Sequence, residues 1–164
     1  IASCLVGSEM CIRDRLKYIH AVYDLAKEKG YIQDATFTGM KHRMEQENMQ
    51  RSEKVARGEA VYGLKEYTLD LYQEYELSMI EEAYILDETN EGMGLTEEEI
   101  EAYYNTRDWI VGEDARKADL SEARAAVIDE MRRNRYKELT EQKAAVAEVD
   151  GDMDQLSQFT LKQL

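Results

Sequence analysis

The chain has 164 residues, and its 35 acidic against 21 basic side chains give a net charge of −14 at pH 7. So acidic a surface repels phosphate groups, which argues against nucleic acids and anionic membranes as partners. No stretch approaches the roughly 20 apolar residues of a membrane-spanning helix, so no direct membrane insertion is expected. Proline is absent and helix-favouring residues are abundant, so the composition predicts an all-α fold.

Residues 1–15 are not expected to belong to the folded domain. Residues 4–15 (Cys-Leu-Val-Gly-Ser-Glu-Met-Cys-Ile-Arg-Asp-Arg) resemble the translation of a DNA adapter used to prepare sequencing libraries. We therefore treat residues 1–15 as an adapter-derived artefact, and expect the native N-terminus to be missing. A helical domain is expected over 16–149, and an acidic turn and tail over 150–164. Both cysteines fall in the adapter-like stretch, so neither a disulfide nor a thiolate metal site is expected.

Two long helices are predicted in the first part of the chain. An apolar stripe at helical spacing precedes Gly30, which is well placed to end the first helix. Either Asp34 or Thr36 begins the second helix, because both side chains can accept a hydrogen bond from the first turn. Gly58 is expected to close it.

A third helix, rich in tyrosine, is predicted after an extended linker at 59–65. Thr68 is its expected N-cap, and the helical spacing of apolar residues continues to about Glu88. After a glycine-containing loop, Thr96 and Glu99 form a capping box, the strongest local helix start in the chain. This start predicts a short fourth helix.

The last predicted element is another long helix. Residues 106–117 are expected to be irregular and carry the one tryptophan, Trp109. Asp119 with Glu122 opens the fifth helix, which continues to about Val149. Together the elements predict about five helices, two or three of them long.

Tyrosine is the unusual residue in the composition, with 11 tyrosines against two phenylalanines. A phenol ring suits half-buried positions and binding surfaces, where one end of the side chain stays in water. Together with adaptable methionines, these rings predict a groove that binds varied extended peptides. The alternative that stays open is that the tyrosines line a thin core between helices. The expected peptide-binding residues are Tyr72, Tyr75, Met79, Tyr103, Tyr104 and Trp109.

No pattern of residues predicts catalysis. The sequence has no nucleophile motif, no glycine-rich phosphate loop and no dinucleotide fingerprint. His20 and His42 lack the acidic residue three positions earlier that a di-metal helical bundle uses. An aspartate-rich stretch at 150–154 lacks the glycine and the glutamate that a calcium loop needs at its sixth and twelfth positions. We therefore expect no catalytic residue, no metal and no cofactor.

Several motifs resemble the helical chaperone domain of SurA/PrsA-type foldases. They are the capped helix Leu95–Tyr104, the start of the next helix at Asp119–Met131, and the alanine-rich stretch Ala144–Val149. Upstream segments are similar to related exported bacterial proteins. The residues that the resemblance assigns to a structural framework are Glu47, Asn48, Arg51, Tyr62, Gly63, Thr96 and Glu99.

The resemblance implies an exported, extracytoplasmic protein, often anchored by an N-terminal lipid, that holds unfolded or newly secreted polypeptides. Family members commonly carry a parvulin isomerase domain between the helical segments. Here only 15 residues separate Tyr104 from Leu120, too few for such a domain. The resemblance therefore implies a non-catalytic, peptide-binding chaperone domain. Two alternatives stay open: a helical assembly module that pairs with a second copy through apolar helix faces, and an accessory domain of a peptidyl-prolyl isomerase.

Overall fold

The computed structural model describes residues 9–111 and 115–147, with side chains over 13–110 and 115–147. The acidic turn and tail expected from residue 150 lie outside these ranges. The described residues form five α-helices and two short strands, and the expected all-α fold is thereby confirmed. In chain order these elements are α1 (Glu9–Glu28), α2 (Phe37–Ala56), α3 (Leu69–Leu86), α4 (Glu97–Tyr104), β1 (Ile110–Val111), β2 (Arg116–Lys117) and α5 (Leu120–Val146).

The predicted ends of the first two helices are confirmed, and a glycine fixes each of them. Gly30 and Gly58 have φ angles of 76° and 74°, a left-handed conformation that residues with a side chain rarely adopt. After the first, the Tyr31 N–H donates to the Ala26 carbonyl at 2.8 Å and closes the last turn. Of the two expected starts of α2, Thr36 is the N-cap, because its side chain accepts a hydrogen bond from the third residue of the helix.

The first helix begins earlier than expected. α1 starts at Glu9, within the stretch that resembles an adapter, whereas the sequence predicted a folded chain from Leu16. Arg15, the last residue of that stretch, forms an ion pair with Glu74 of α3. The adapter origin of residues 1–15 stays a prediction.

The capping residues expected before α4 and α5 are in place. The Glu99 N–H donates to the Thr96 hydroxyl at 3.2 Å, and the Thr96 N–H donates back to the Glu99 carboxylate at 2.9 Å. At the start of α5 the Glu122 N–H donates to the Asp119 carboxylate at 3.0 Å. Each cap satisfies a backbone donor that the first helical turn leaves without a partner.

Two short strands interrupt the segment that was expected to be irregular. β1 pairs antiparallel with β2, with Ile110 opposite Lys117. Beyond this pair the Ala118 N–H donates to the Trp109 carbonyl at 2.7 Å. The expectation was wrong here because a strand of two residues is too short to show the alternation of apolar and polar residues that identifies strands.

The chain divides into two compact units, one formed by residues up to Ile80 together with those from Thr140 onwards, the other by residues 81–139. We call them unit 1 and unit 2, and each has its own apolar core. The core of unit 1 consists of Ile19, Val22, Tyr23, Ala26, Ile32, Met40, Tyr72, Leu77 and Ile80. The core of unit 2 consists of Ile100, Trp109, Ala118, Ala123, Val127 and Met131. None of the described helices is long and apolar enough to cross a bilayer.

Candidate binding surface

Tyr103, Tyr104 and Trp109, all expected to bind peptide, pack in unit 2. Trp109 is buried, and its indole N–H donates to the Tyr104 carbonyl at 3.1 Å. The Tyr104 hydroxyl donates to the Ala118 carbonyl at 2.7 Å, and the Tyr103 hydroxyl donates to the Glu130 carboxylate at 2.8 Å. The polar ends of these rings are therefore bonded within unit 2. Whether any of the three contacts a polypeptide stays a prediction.

The other expected residues, Tyr72, Tyr75 and Met79, lie on α3 in unit 1 and differ in exposure. Tyr72 is buried in the core, whereas Tyr75 is half-buried and Met79 is 50% exposed. Leu71, which the sequence did not single out, is 46% exposed. Leu71, Tyr75 and Met79 follow one another at intervals of four residues, so they lie along one side of the helix. We call these three residues the α3 stripe.

A cluster of tyrosine rings adjoins the stripe. The Tyr67 ring stacks on Tyr75, with 5.0 Å between centroids and 23° between planes. It also meets Tyr72 edge-on at 5.8 Å. Such aromatic pairs contribute about 0.5–1.5 kcal/mol beyond their buried area. Because Tyr67 belongs to the loop before α3, the stacking joins this loop to the stripe and restricts the Tyr75 ring.

Two side chains of α2, Asn48 and Arg51, hold the same loop. The Asn48 amide donates to the Tyr67 carbonyl at 2.9 Å and accepts the Tyr67 N–H at 2.7 Å. Arg51 donates to the carbonyl oxygens of Tyr62 and Leu64 at 3.1 and 2.7 Å, and its guanidinium carbon lies 4.7 Å from the centre of the Tyr67 ring. One arginine can make all these contacts because its five donors form a planar fork. We call Asn48 and Arg51 the loop clamp.

The loop clamp leaves apolar side chains on the outside of the loop. Glu47, one turn before Arg51, accepts a hydrogen bond from it at 2.8 Å, as the spacing predicts, and orients the guanidinium. Gly63, with a φ angle of 78°, lies between the two carbonyls that Arg51 binds. The Tyr62 ring is 89% exposed, and Leu64 is also exposed. Of the residues assigned to a structural framework, Glu47, Asn48 and Arg51 therefore fix a loop that presents the side chains of Tyr62 and Leu64 to solvent, whereas Thr96 and Glu99 cap α4.

A buried ion pair joins α2 to α3 in unit 1. Arg43 donates to the two carboxylate oxygens of Glu76 at 2.6 and 3.0 Å, and Glu76 is only 6% exposed. A third hydrogen bond runs from Arg43 to the Asp34 carbonyl at 2.6 Å. Burial lowers the pKa of Arg43, but hydrogen bonding to Glu76 and its negative charge outweigh this effect, and the net shift is upward. The guanidinium therefore stays charged.

The ion pair also affects Tyr23 and Tyr72. The Tyr23 hydroxyl is buried with no hydrogen-bond partner among the described residues, and the Tyr23 ring lies 5.9 Å from the Arg43 guanidinium. Burial and then the negative charge of Glu76 raise the pKa of both tyrosines well above the ordinary value. Both phenols are therefore neutral in the folded protein at physiological pH.

We expect these two tyrosines to make the protein less stable at alkaline pH. A pKa raised by folding contributes stability that is complete below the unfolded value, about 10 for tyrosine, and is lost as pH rises through the folded value. Above pH ~10 each such tyrosine should lower the free energy of unfolding by up to ~1.4 kcal/mol per pH unit. Tyr23→Phe should remove one tyrosine's share of this slope and change stability little near neutral pH, because it removes a hydroxyl without a partner.

Urea unfolding of the wild type and Tyr23→Phe, measured at intervals from about pH 8 to pH 11, would check this expectation. Tyr62→Phe, at an exposed ring, is the matched control and should keep the wild-type slope. Equal slopes for the wild type and Tyr23→Phe would contradict the expectation.

The described residues show no arrangement that favours metal chemistry. No three of their His, Cys, Asp and Glu side chains come together in a way that could hold a metal ion. An open cleft of about 500 Å³ in unit 1 is lined partly by Asp34 and Arg43. Both are already engaged, since the Asp34 carboxylate accepts the Thr36 N–H at 2.9 Å and Arg43 binds Glu76. The exposed apolar side chains on the loop and on α3 are therefore the stronger candidates for a binding function.

Comparison of the chain with known proteins finds a relative in sequence and, separately, solved structures of similar fold. No protein-family model matches it. Over 152 residues, or 92% of its length, the chain is 36% identical to a protein of Bifidobacterium longum subsp. longum named "Chaperone for lacto-N-biosidase". The match covers 54% of that protein, so the chain spans about half the length of this curated relative.

Two solved structures have a similar fold, and both are of the GH136 lacto-N-biosidase from Eubacterium ramulus. The native and selenomethionine crystal structures match with TM-scores of 0.66 and 0.70. Each match covers 90% of this chain and 30% of the enzyme chain at 18% sequence identity, which shows a similarity of fold alone. The resemblance to SurA/PrsA-type foldases is therefore wrong. The sequence is instead similar to a chaperone for lacto-N-biosidase, and the fold is similar to part of a lacto-N-biosidase. The expected export followed from this resemblance alone and stays a prediction.

Proposed function

We propose that this chain is a non-catalytic chaperone for a glycoside hydrolase of the GH136 lacto-N-biosidase type. The observation that carries the proposal is the 36% identity, over 92% of the chain, to the chaperone for lacto-N-biosidase of Bifidobacterium longum. An identity of this extent includes both units and supports a related partner as well as a shared fold. The client is then one kind of enzyme rather than unfolded polypeptides in general.

The likeness to lacto-N-biosidase itself supports the same role. In Eubacterium ramulus a similar fold makes up 30% of an enzyme chain, and in Bifidobacterium longum a related sequence belongs to a protein named as a chaperone. When a module is part of an enzyme chain, its contact with the rest of that chain is intramolecular and forms at a high effective concentration. A separate module has to provide the same contact through a specific surface. We infer that this chain recognises a hydrolase domain through such a surface in either arrangement.

The proposed mechanism needs no chemistry from the chaperone. A protein that binds the folded form of its client and not the unfolded form stabilises the folded form by mass action, by about 2.7 kcal/mol at a concentration of 100 times the Kd. The surface that binds should already be ordered, because ordering it during association would reduce the affinity. The loop clamp and the stacked tyrosines of unit 1 provide such order.

Production of a lacto-N-biosidase with and without this chain tests the proposal. The lacto-N-biosidase of Bifidobacterium longum serves as the client, its own chaperone as the positive control, and an unrelated acidic helical protein as the negative control. We expect the full chain to raise the yield of soluble, active enzyme several-fold over the negative control. If the Bifidobacterium chaperone raises the yield and this chain does not, the proposal is contradicted. An unrelated unfolded client should aggregate at the same rate with and without the chain.

A further inference from the structure

We propose that the α3 stripe and the exposed side chains of Tyr62 and Leu64, in the loop before α3, together form the surface that docks onto the folded hydrolase. This inference rests on the proposed function. Leu71 and Met79 are half exposed, Tyr62 is almost fully exposed, and all three belong to unit 1. Stacking of Tyr67 on Tyr75 connects the loop to the stripe. The stacking therefore places the loop beside the stripe within unit 1.

The order of this surface favours a folded partner over an unfolded one. Asn48 and Arg51 fix the backbone at Tyr67, Tyr62 and Leu64 through four hydrogen bonds, and Arg51 donates a fifth to the Tyr67 hydroxyl. A surface that is already ordered loses little conformational entropy on binding, and it can fit only a partner of matching shape. Surfaces that accept many unfolded clients instead rely on flexible side chains that can repack.

The composition of the surface also fits a protein interface. Tyrosine and methionine are enriched at the centres of such interfaces, where a few buried side chains carry most of the binding energy. Asp70 directly precedes the stripe, and the chain as a whole carries a net charge of −14. Complementarity therefore requires a hydrolase face with an apolar centre and a basic rim, and association should become slower as salt concentration rises. In the Eubacterium ramulus enzyme most of the chain lies outside the shared fold, which provides a domain for such a contact.

A double variant of the full chain tests the inference, with a single variant as its control. Leu71→Glu with Met79→Glu places two charges on the stripe, whereas Met49→Glu places a charge at a position of α2 that is 58% exposed and belongs to neither the stripe nor the loop clamp. Binding to the Bifidobacterium longum lacto-N-biosidase, measured by surface plasmon resonance, should weaken by at least about tenfold for the double variant. Met49→Glu should bind like the wild type. Circular dichroism and thermal melting verify that both variants fold.

The outcomes separate this inference from the proposed function. If the wild type raises the enzyme yield and the double variant binds and acts like it, the docking surface is elsewhere, while the proposed function stands. If the wild type itself has no effect on the yield, the proposed function fails, and the inference fails with it. If the wild type is a dimer that the double variant dissociates without loss of hydrolase binding, the stripe pairs two copies and the inference is overturned. Equally tight binding to a reduced, unfolded client would overturn the choice of a folded partner.

Discussion

Glu76→Leu is expected to lower the free energy of unfolding by about 3 kcal/mol, because it leaves the charge of Arg43 without its partner in a largely buried position. The Glu76 side chain is 8% exposed and that of Arg43 is 21% exposed. Water can therefore reach the guanidinium in part, which places the cost at the lower end of the usual range for a broken buried pair. Tyr72 also loses the carboxylate that lies 3.3 Å from its hydroxyl.

A double variant separates the value of the pair from the cost of an unpaired charge. Arg43→Met with Glu76→Leu removes both charges and keeps apolar volume, so it should recover most of the stability that Glu76→Leu loses. Urea unfolding followed by circular dichroism at neutral pH measures all the variants. Arg57→Met, at an exposed ion pair with Glu59, is the control and should not shift the unfolding midpoint. If the double variant loses as much as Glu76→Leu and Arg43→Met measured singly lose together, the two charges are not coupled and the explanation is wrong.

The helices could be predicted well because their signals are local. Gly30 and Gly58 end their helices through backbone angles that few other residues adopt, and Thr96 with Glu99 caps α4 through hydrogen bonds between residues three apart. Such signals depend on a few neighbouring positions. They identify where a helix begins and ends even when its partners are unknown.

The contacts that organise unit 1 could not be predicted in this way. Arg43 and Glu76 are 33 residues apart, and Asn48 lies 19 residues before Tyr67. Polar residues of these types are common throughout so acidic a chain, so no spacing marks these four as partners. Their pairing is decided by how α2, the loop and α3 pack.

The candidate site was predicted only in part, for a related reason. Leu71 and Tyr72 are adjacent and both apolar, yet Leu71 is exposed and Tyr72 is buried. Helical periodicity groups residues into faces, but it does not say which apolar face packs inside when a helix has apolar residues on several sides. The same limit explains the wrong family resemblance. Its motifs were helix caps and core positions. Unrelated helical proteins share such motifs because every helix has backbone groups at its ends that need hydrogen-bond partners.

Arg51→Lys is expected to release the loop and to lower the free energy of unfolding by about 2 kcal/mol. A lysine ammonium cannot bind the carbonyl oxygens of Tyr62 and Leu64, pair with Glu47 and lie over the Tyr67 ring at the same time, whereas the guanidinium does all of these. The charge is kept, so any effect reports the lost geometry. Arg57→Lys, at an exposed arginine directly after α2, is the matched control and should leave the unfolding midpoint unchanged.

Limited proteolysis distinguishes release of the loop from a general loss of stability. Chymotrypsin cleaves after tyrosine and leucine, so in Arg51→Lys we expect faster cleavage after Tyr62 and Leu64 at a temperature where the variant is still folded by circular dichroism. Cleavage follows how often a segment opens, and a loop without its hydrogen bonds opens more often than the helices beside it. If the loop carries part of the docking surface, the same variant should also bind the hydrolase more weakly, although none of the residues that face the partner has changed. Cleavage at the wild-type rate would mean that Asn48 and the tyrosine stack hold the loop without Arg51.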